Sequence, residues 1–140
     1  MAENTAVYGY GVAGAHFAGA RRAAAVRDWV AHENARDTLT AMLTARGGRP
    51  VAAAAAYALP SGVHNAATAV SLAALLEDRV AAVYLGLVAL SEPSLREFGA
   101  AGVRTAALRA AAWRGSTLAF PGFDVAPPSA PGTAARTTHS

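Results

Sequence analysis

The chain contains no cysteine. Disulfides, thiolate nucleophiles and thiolate metal ligands are therefore excluded together, and a reducing compartment, the cytoplasm, is the expected location. Lysine is absent as well: all twelve basic residues are arginine, against nine acidic ones, for a formal net charge of +3 at pH 7. Only Arg21 and Arg22 are adjacent, so no arginine block exists that would grip a phosphate backbone, and nucleic acid is not an expected partner. With the surplus of Ala and Gly, this arginine-only usage reads as the codon preference of a GC-rich genome. Long apolar runs are missing too. The longest uncharged stretch, from Pro50 to Leu76, is interrupted by Pro60, Ser61, His64 and Asn65, and Glu3 stands where a signal peptide would carry basic residues. Neither a membrane span nor an export signal is expected.

What the 140 residues do contain is an echo. Glu3 and Tyr10 return 74 residues later as Glu77 and Tyr84. Their seven-residue spacing is two helical turns, which puts each pair along one stripe of a helix. Apolar residues alternate at three and four around these stripes: Val7, Gly14 and Phe17 in the first segment, Ala25, Trp29, His32, Leu39 and Leu43 in the second, and Val70, Ala73, Val80 and Leu87 in the third. The expected helices cover about 2–20, 22–46, 65–90 and 94–115 of a domain spanning 1–120, with a disordered Pro- and Ser-rich tail over 121–140. Asn65 reads as an N-cap, Gly47 as a C-cap and Pro93 as a first-turn residue. Gly99 and Gly102 each cost about 1 kcal/mol in a helix interior, so the fourth helix depends on packing. Gly11, Ala15 and Gly19, four residues apart, mark either a close internal contact or a dimer face.

Loop lengths fix the topology. The first and last connections are only a few residues long, which makes their helices antiparallel neighbours. The middle connection, Gly47 to His64, holds eighteen residues. Extended, such a loop reaches about 60 Å, more than the roughly 30 to 37 Å length of these helices. The fold class expected is all-α: a ferritin-like four-helix bundle of two antiparallel hairpins joined by a long crossover loop.

The stretches Glu3 to Gly11, Tyr57-Ala58-Leu59-Pro60, Leu76 to Tyr84 and Ala112-Trp113-Arg114 resemble the bacterial DUF4439 family, a ferritin-like domain of unknown function. The likeness covers about residues 2 to 122, and what it implies is the fold rather than a reaction.

A ferritin-like di-metal centre takes one Glu from each of two helices and a Glu-x-x-His pair from each of the others. Glu3 and Glu77 stand where the single carboxylates belong. The second helix offers Glu33-Asn34-Ala35-Arg36, with Arg in place of His, and the fourth offers Ala106-Ala107-Leu108-Arg109, with neither ligand. The expected site is therefore a metal-free polar core of Glu3, Tyr10, His32, Arg36, Glu77, Tyr84 and Arg109, in which the two guanidinium groups pair with the two glutamates in place of metals. No catalytic residue and no cofactor is expected. The resulting reading is a non-enzymatic scaffold of unknown function that acts through protein interaction, with a homodimer and an unidentified protein partner. The alternative is a reduced iron or manganese site of Glu3, His32, Glu33 and Glu77 with oxidase or peroxide chemistry. A third reading is a small-ligand binder. Trp29, Phe98 and Trp113 are expected in the core, and His16 and His64 outside it.

Overall fold

The computed structural model describes residues 2–59 and 62–122. Among them are four helices and no strand: α1 (Ala2–Gly14), α2 (Gly19–Ala45), α3 (Ala66–Val88) and α4 (Pro93–Arg114). Their ends follow the local chemistry. The Asn65 side chain accepts from the Thr68 amide at 3.0 Å while the Thr68 hydroxyl accepts from the Asn65 amide at 3.1 Å, a reciprocal cap on α3. Pro93 starts α4, and Gly115, left-handed at φ 78°, ends it.

One expected boundary is corrected. α1 stops at Gly14 rather than near residue 20, because the His16 and Phe17 amides turn back to the Ala13 and Gly14 carbonyls at 3.0 and 3.2 Å. That tight turn drops Phe17 into the core, where it is 5% exposed. From residue 123 onward the expected tail lies outside the described residues, and residues 121–122 form a turn.

Side-chain pairs set the helix directions. Gly14 lies beside Ala25 and Glu3 beside His32, so α1 and α2 are antiparallel. Tyr84 packs on Phe98 at 5.7 Å between ring centroids and Asp78 pairs with Arg114, so α3 and α4 are antiparallel too. Tyr84 meets Glu3 and Tyr10 meets Glu77, which makes α1 antiparallel to α3. The order is up, down, down, up, so α2 and α3 are parallel and the connection between them has to span the bundle; its described residues, 46–59 and 62–65, form no helix or strand. Two antiparallel hairpins joined by a long crossover are thus observed.

α3 is the central helix. It packs on both α1 and α4, whereas the backbones of α2 and α4 stay apart and meet only through side chains. Close approach is bought with glycine. A Cβ at Gly9 would lie 2.5 Å from Leu76 Cδ1, and one at Gly102 would lie 2.6 Å from the Tyr84 ring. Gly11 and Gly19, by contrast, have open space around them and Ala15 is exposed, so that stripe is no internal contact. Two apolar clusters result. Tyr10, Phe17, Leu72 and Leu76 with small alanines form one, with Trp29 and Trp113 against it. Ala6, Val80, Tyr84 and Ala106 form the other, with Phe98 against it. Among the described residues no helix is long and apolar enough to cross a membrane.

Candidate functional site

Three buried ionisable groups meet where α1, α2 and α3 converge. Glu3, His32 and Glu77 are 4%, 1% and 0% exposed, a degree of burial that charged groups tolerate only when partnered. His32 supplies the partnership. Its Nδ1 is 2.6 Å from Glu3 Oε2 and its Nε2 is 2.9 Å from Glu77 Oε1, so one imidazole bridges carboxylates from two different helices. The tyrosines complete the cluster crosswise, each bonding to the glutamate of the other helix. The Tyr10 hydroxyl donates to Glu77 Oε1 at 2.7 Å, and the Tyr84 hydroxyl donates to Glu3 Oε1 at 2.5 Å. A seven-residue Glu–Tyr spacing on two antiparallel helices generates this crossing: each Tyr lies level with the opposite Glu.

Protonation follows from the geometry. A neutral imidazole has a single N–H and satisfies one acceptor, whereas His32 faces two carboxylates and needs two. Burial opposes the charged ring, but the hydrogen bonds and charges of Glu3 and Glu77 outweigh it and push the His32 pKa up to about 9. Burial, then the adjacent carboxylate charge and hydrogen bond, raises both tyrosines above their ordinary range, Tyr10 through Glu77 and Tyr84 through Glu3. They remain donors at neutral pH. Glu77 Oε2 is buried without a hydrogen-bond partner.

Residues 1–125 match the family described as "Domain of unknown function (DUF4439)". The chain belongs to the DUF4439 family. A crystal structure of a conserved hypothetical protein from Mycobacterium tuberculosis is similar to it, with a TM-score of 0.78 and 30% identity over 81% of this chain and 86% of that one. No protein with a curated description matches.

Five of the residues expected in the core of this DUF4439 domain, Glu3, Tyr10, His32, Glu77 and Tyr84, are brought together. The two arginines are not, and the expected guanidinium–glutamate pairing is corrected. The Arg36 Nε donates to Asp37 at 2.8 Å and Arg36 lies 4.0 Å from Glu33, with 32% of its side chain exposed. Arg109 Nε lies 3.6 Å from Asp28. The physical reason is desolvation: Arg36 finds carboxylates on its own helix while keeping part of its side chain in water, Arg109 meets Asp28 across the α2–α4 seam, and burying either guanidinium beside Glu3 would cost several kcal/mol. The same geometry removes Glu33 from the alternative ligand set, since it sits with Arg36 outside the cluster.

A two-metal centre does not fit the donors present. Glu3, His32 and Glu77 are three ligands where about six are required, both ring nitrogens are taken by carboxylates, and α4 presents Ala106 and Ala110 to the interior. Among the described residues no group of three or more acidic or His side chains is arranged to hold a metal ion.

Sequence reasoning missed Asp28. It is 3% exposed and accepts from Trp113 Nε1 at 3.1 Å and from Arg27 Nε at 3.2 Å. The signal was there: Asp28 precedes His32 by one helical turn and shares its stripe.

Proposed function

We propose that this DUF4439 chain is a non-enzymatic, ferritin-like scaffold whose core cation is its own imidazolium, and that it acts through contacts with other proteins. The observation carrying this reading is the engagement of both His32 nitrogens by Glu3 and Glu77. A protein-borne cation occupies the position between carboxylates that a metal would otherwise take, and α4 offers no ligand to replace it. Contact with a second copy is supported by the outward face where exposed Gly11 and Ala15 adjoin Val26, which is 52% exposed. Small residues let backbones approach closely. Light scattering coupled to size exclusion checks this, with a dimer expected for the native chain and a monomer for Val26→Glu.

The test of the core is metal per protomer by elemental analysis after challenge with ferrous iron or manganese. None is expected, and two per protomer would overturn the proposal. One observation favours the alternative of a reduced metal site: the buried Glu77 Oε2 lacks a partner, and a single iron or manganese between Glu77, Glu3 and a neutral, turned His32 would supply one. One metal per protomer, lost in Glu77→Gln, would establish that reading, and oxygen uptake on adding ferrous iron would then follow.

A further inference from the structure

The backbones of α2 and α4 make no close contact, and the end of the seam between them nearest the first loop opens into a cavity of about 420 Å³. Arg21, Arg27 and Asp28 from α2 face Thr105, Arg109 and Trp113 from α4 across it. Three guanidinium groups against one carboxylate leave this cavity with a surplus of two positive charges. Asp28 organises the charge instead of cancelling it. Its buried carboxylate holds Arg27 through Nε and Nη2 at 3.2 Å each and faces Arg109 Nε at 3.6 Å, while also accepting from the Trp113 indole. Arg27 is thus hydrogen-bonded, and Arg109 ion-paired, to the same carboxylate, and Arg109 has no other acidic partner among the described residues. Arg21 has no acidic partner among them either. On the same cavity lie Leu108, 67% exposed, and the partly buried Trp113, whose ring stacks on Phe17 at 5.2 Å.

We propose that this cavity binds a small organic anion, a carboxylate or a phosphate ester, with its charged group on Arg27, Arg109 and Arg21 and its apolar body against Trp113 and Leu108. Guanidinium forks match the paired oxygens of both anion types, and fixing the forks beforehand lowers the entropy lost on binding. The volume falls in the range of small-molecule sites, roughly 300–1,000 Å³. Asp28 is a positioning residue, holding two arginines and the indole at once. This site is separate from the imidazole cluster, so the inference stands whether or not the core takes a metal.

The test is titration of the full chain with benzoate, phenyl phosphate, inorganic phosphate and benzyl alcohol at constant ionic strength, followed by calorimetry and by the Trp113 indole N–H resonance. Saturable binding of benzoate or phenyl phosphate with a Kd below about 1 mM is expected, together with a shift of the Trp113 signal. Which of the two binds more tightly decides between carboxylate and phosphate ester. Phenyl phosphate should bind at least tenfold more tightly than inorganic phosphate, and benzyl alcohol should not bind. Arg21→Gln and Arg27→Gln change exposed side chains, Gln at 27 keeping a hydrogen-bond donor near Asp28, and each should weaken binding about tenfold with the melting temperature checked alongside, whereas Arg79→Gln on the outer face of α3 should leave it unchanged. No saturable binding by either aromatic anion would overturn the proposal. So would equal loss in Arg79→Gln, undiminished binding in Arg27→Gln, or benzyl alcohol binding as well as benzoate.

Discussion

In the first hairpin α1 carries Glu3 and Tyr10, and in the second α3 carries Glu77 and Tyr84, at the same spacing and with all four side chains buried. The second helices of the two hairpins differ. At the same offset of 74 residues the counterpart of His32 is Ala106, itself 2% exposed. One imidazolium has two N–H groups and so serves both carboxylates; a second would be redundant and would crowd Tyr84. The second hairpin uses its interior differently. Gly99 and Gly102 let α4 approach α3 until a Cβ at either position would lie within 3 Å of Leu87 or of the Tyr84 ring. Two halves with similar first helices have therefore divided the work: α2 supplies the charge, and α4 supplies close packing.

This division predicts unequal responses to substitution. The largest loss is expected for Glu77→Ala, about 3–5 kcal/mol by chemical denaturation at neutral pH, because it strands His32 deep in the bundle. Glu3→Ala should cost less, since Glu3 lies in the first turn of α1. Equal losses would show that the two carboxylates are interchangeable and would break the comparison.

Next comes pH. The His32 pKa is raised from 6.5 to about 9 in the folded protein, so its contribution is fully present below pH 6.5 and is lost as pH rises through 9. Stability should fall by about 3 kcal/mol over that window, and His32→Gln should flatten the profile. The flanking titratable groups, Tyr10 and Tyr84, are raised and stay protonated across it. A His32 titration by NMR near its ordinary pKa would contradict the bridged geometry.

Tyr10→Phe and Tyr84→Phe should each cost about 1.5–3 kcal/mol, because each removes one hydrogen bond to a carboxylate. Their near equality would sharpen the twofold relation between α1 and α3. Among the glycines, Gly102→Ala should destabilise by about 1–3 kcal/mol through its clash with Tyr84, whereas Gly11→Ala, with open space around it, should stabilise by up to about 1 kcal/mol. Thermal melts of the two variants separate them by sign. Smallest of all, Arg36→Ala should stay within about 0.5 kcal/mol of the native chain, which distinguishes the surface position of Arg36 from a place in the core.

Much of the architecture was legible because helices advertise themselves locally. The three/four stripes, Asn65 at a helix start and Pro93 in a first turn act within a few residues of themselves, and the structure places α3 and α4 within two residues of the expected bounds. The end of α1 was less legible, since the turn at 15–18 is stabilised by the burial of Phe17, a contact with distant residues. The Glu–Tyr echo placed four members of the polar cluster on matching stripes. Choosing the cation that joins them required three dimensions: Arg36 and His32 are one turn apart on α2, and only the position of α1 decides that His32 is level with Glu3.

The sequence by itself determined four helices, two hairpins and a crossover long enough to span the bundle, because periodicity, capping and loop length are properties of neighbouring residues. The tertiary structure decided which positive group enters the core and which stay at the surface. That choice is a balance between desolvation and hydrogen bonding, and it depends on the depth and direction of each side chain, which no local pattern records.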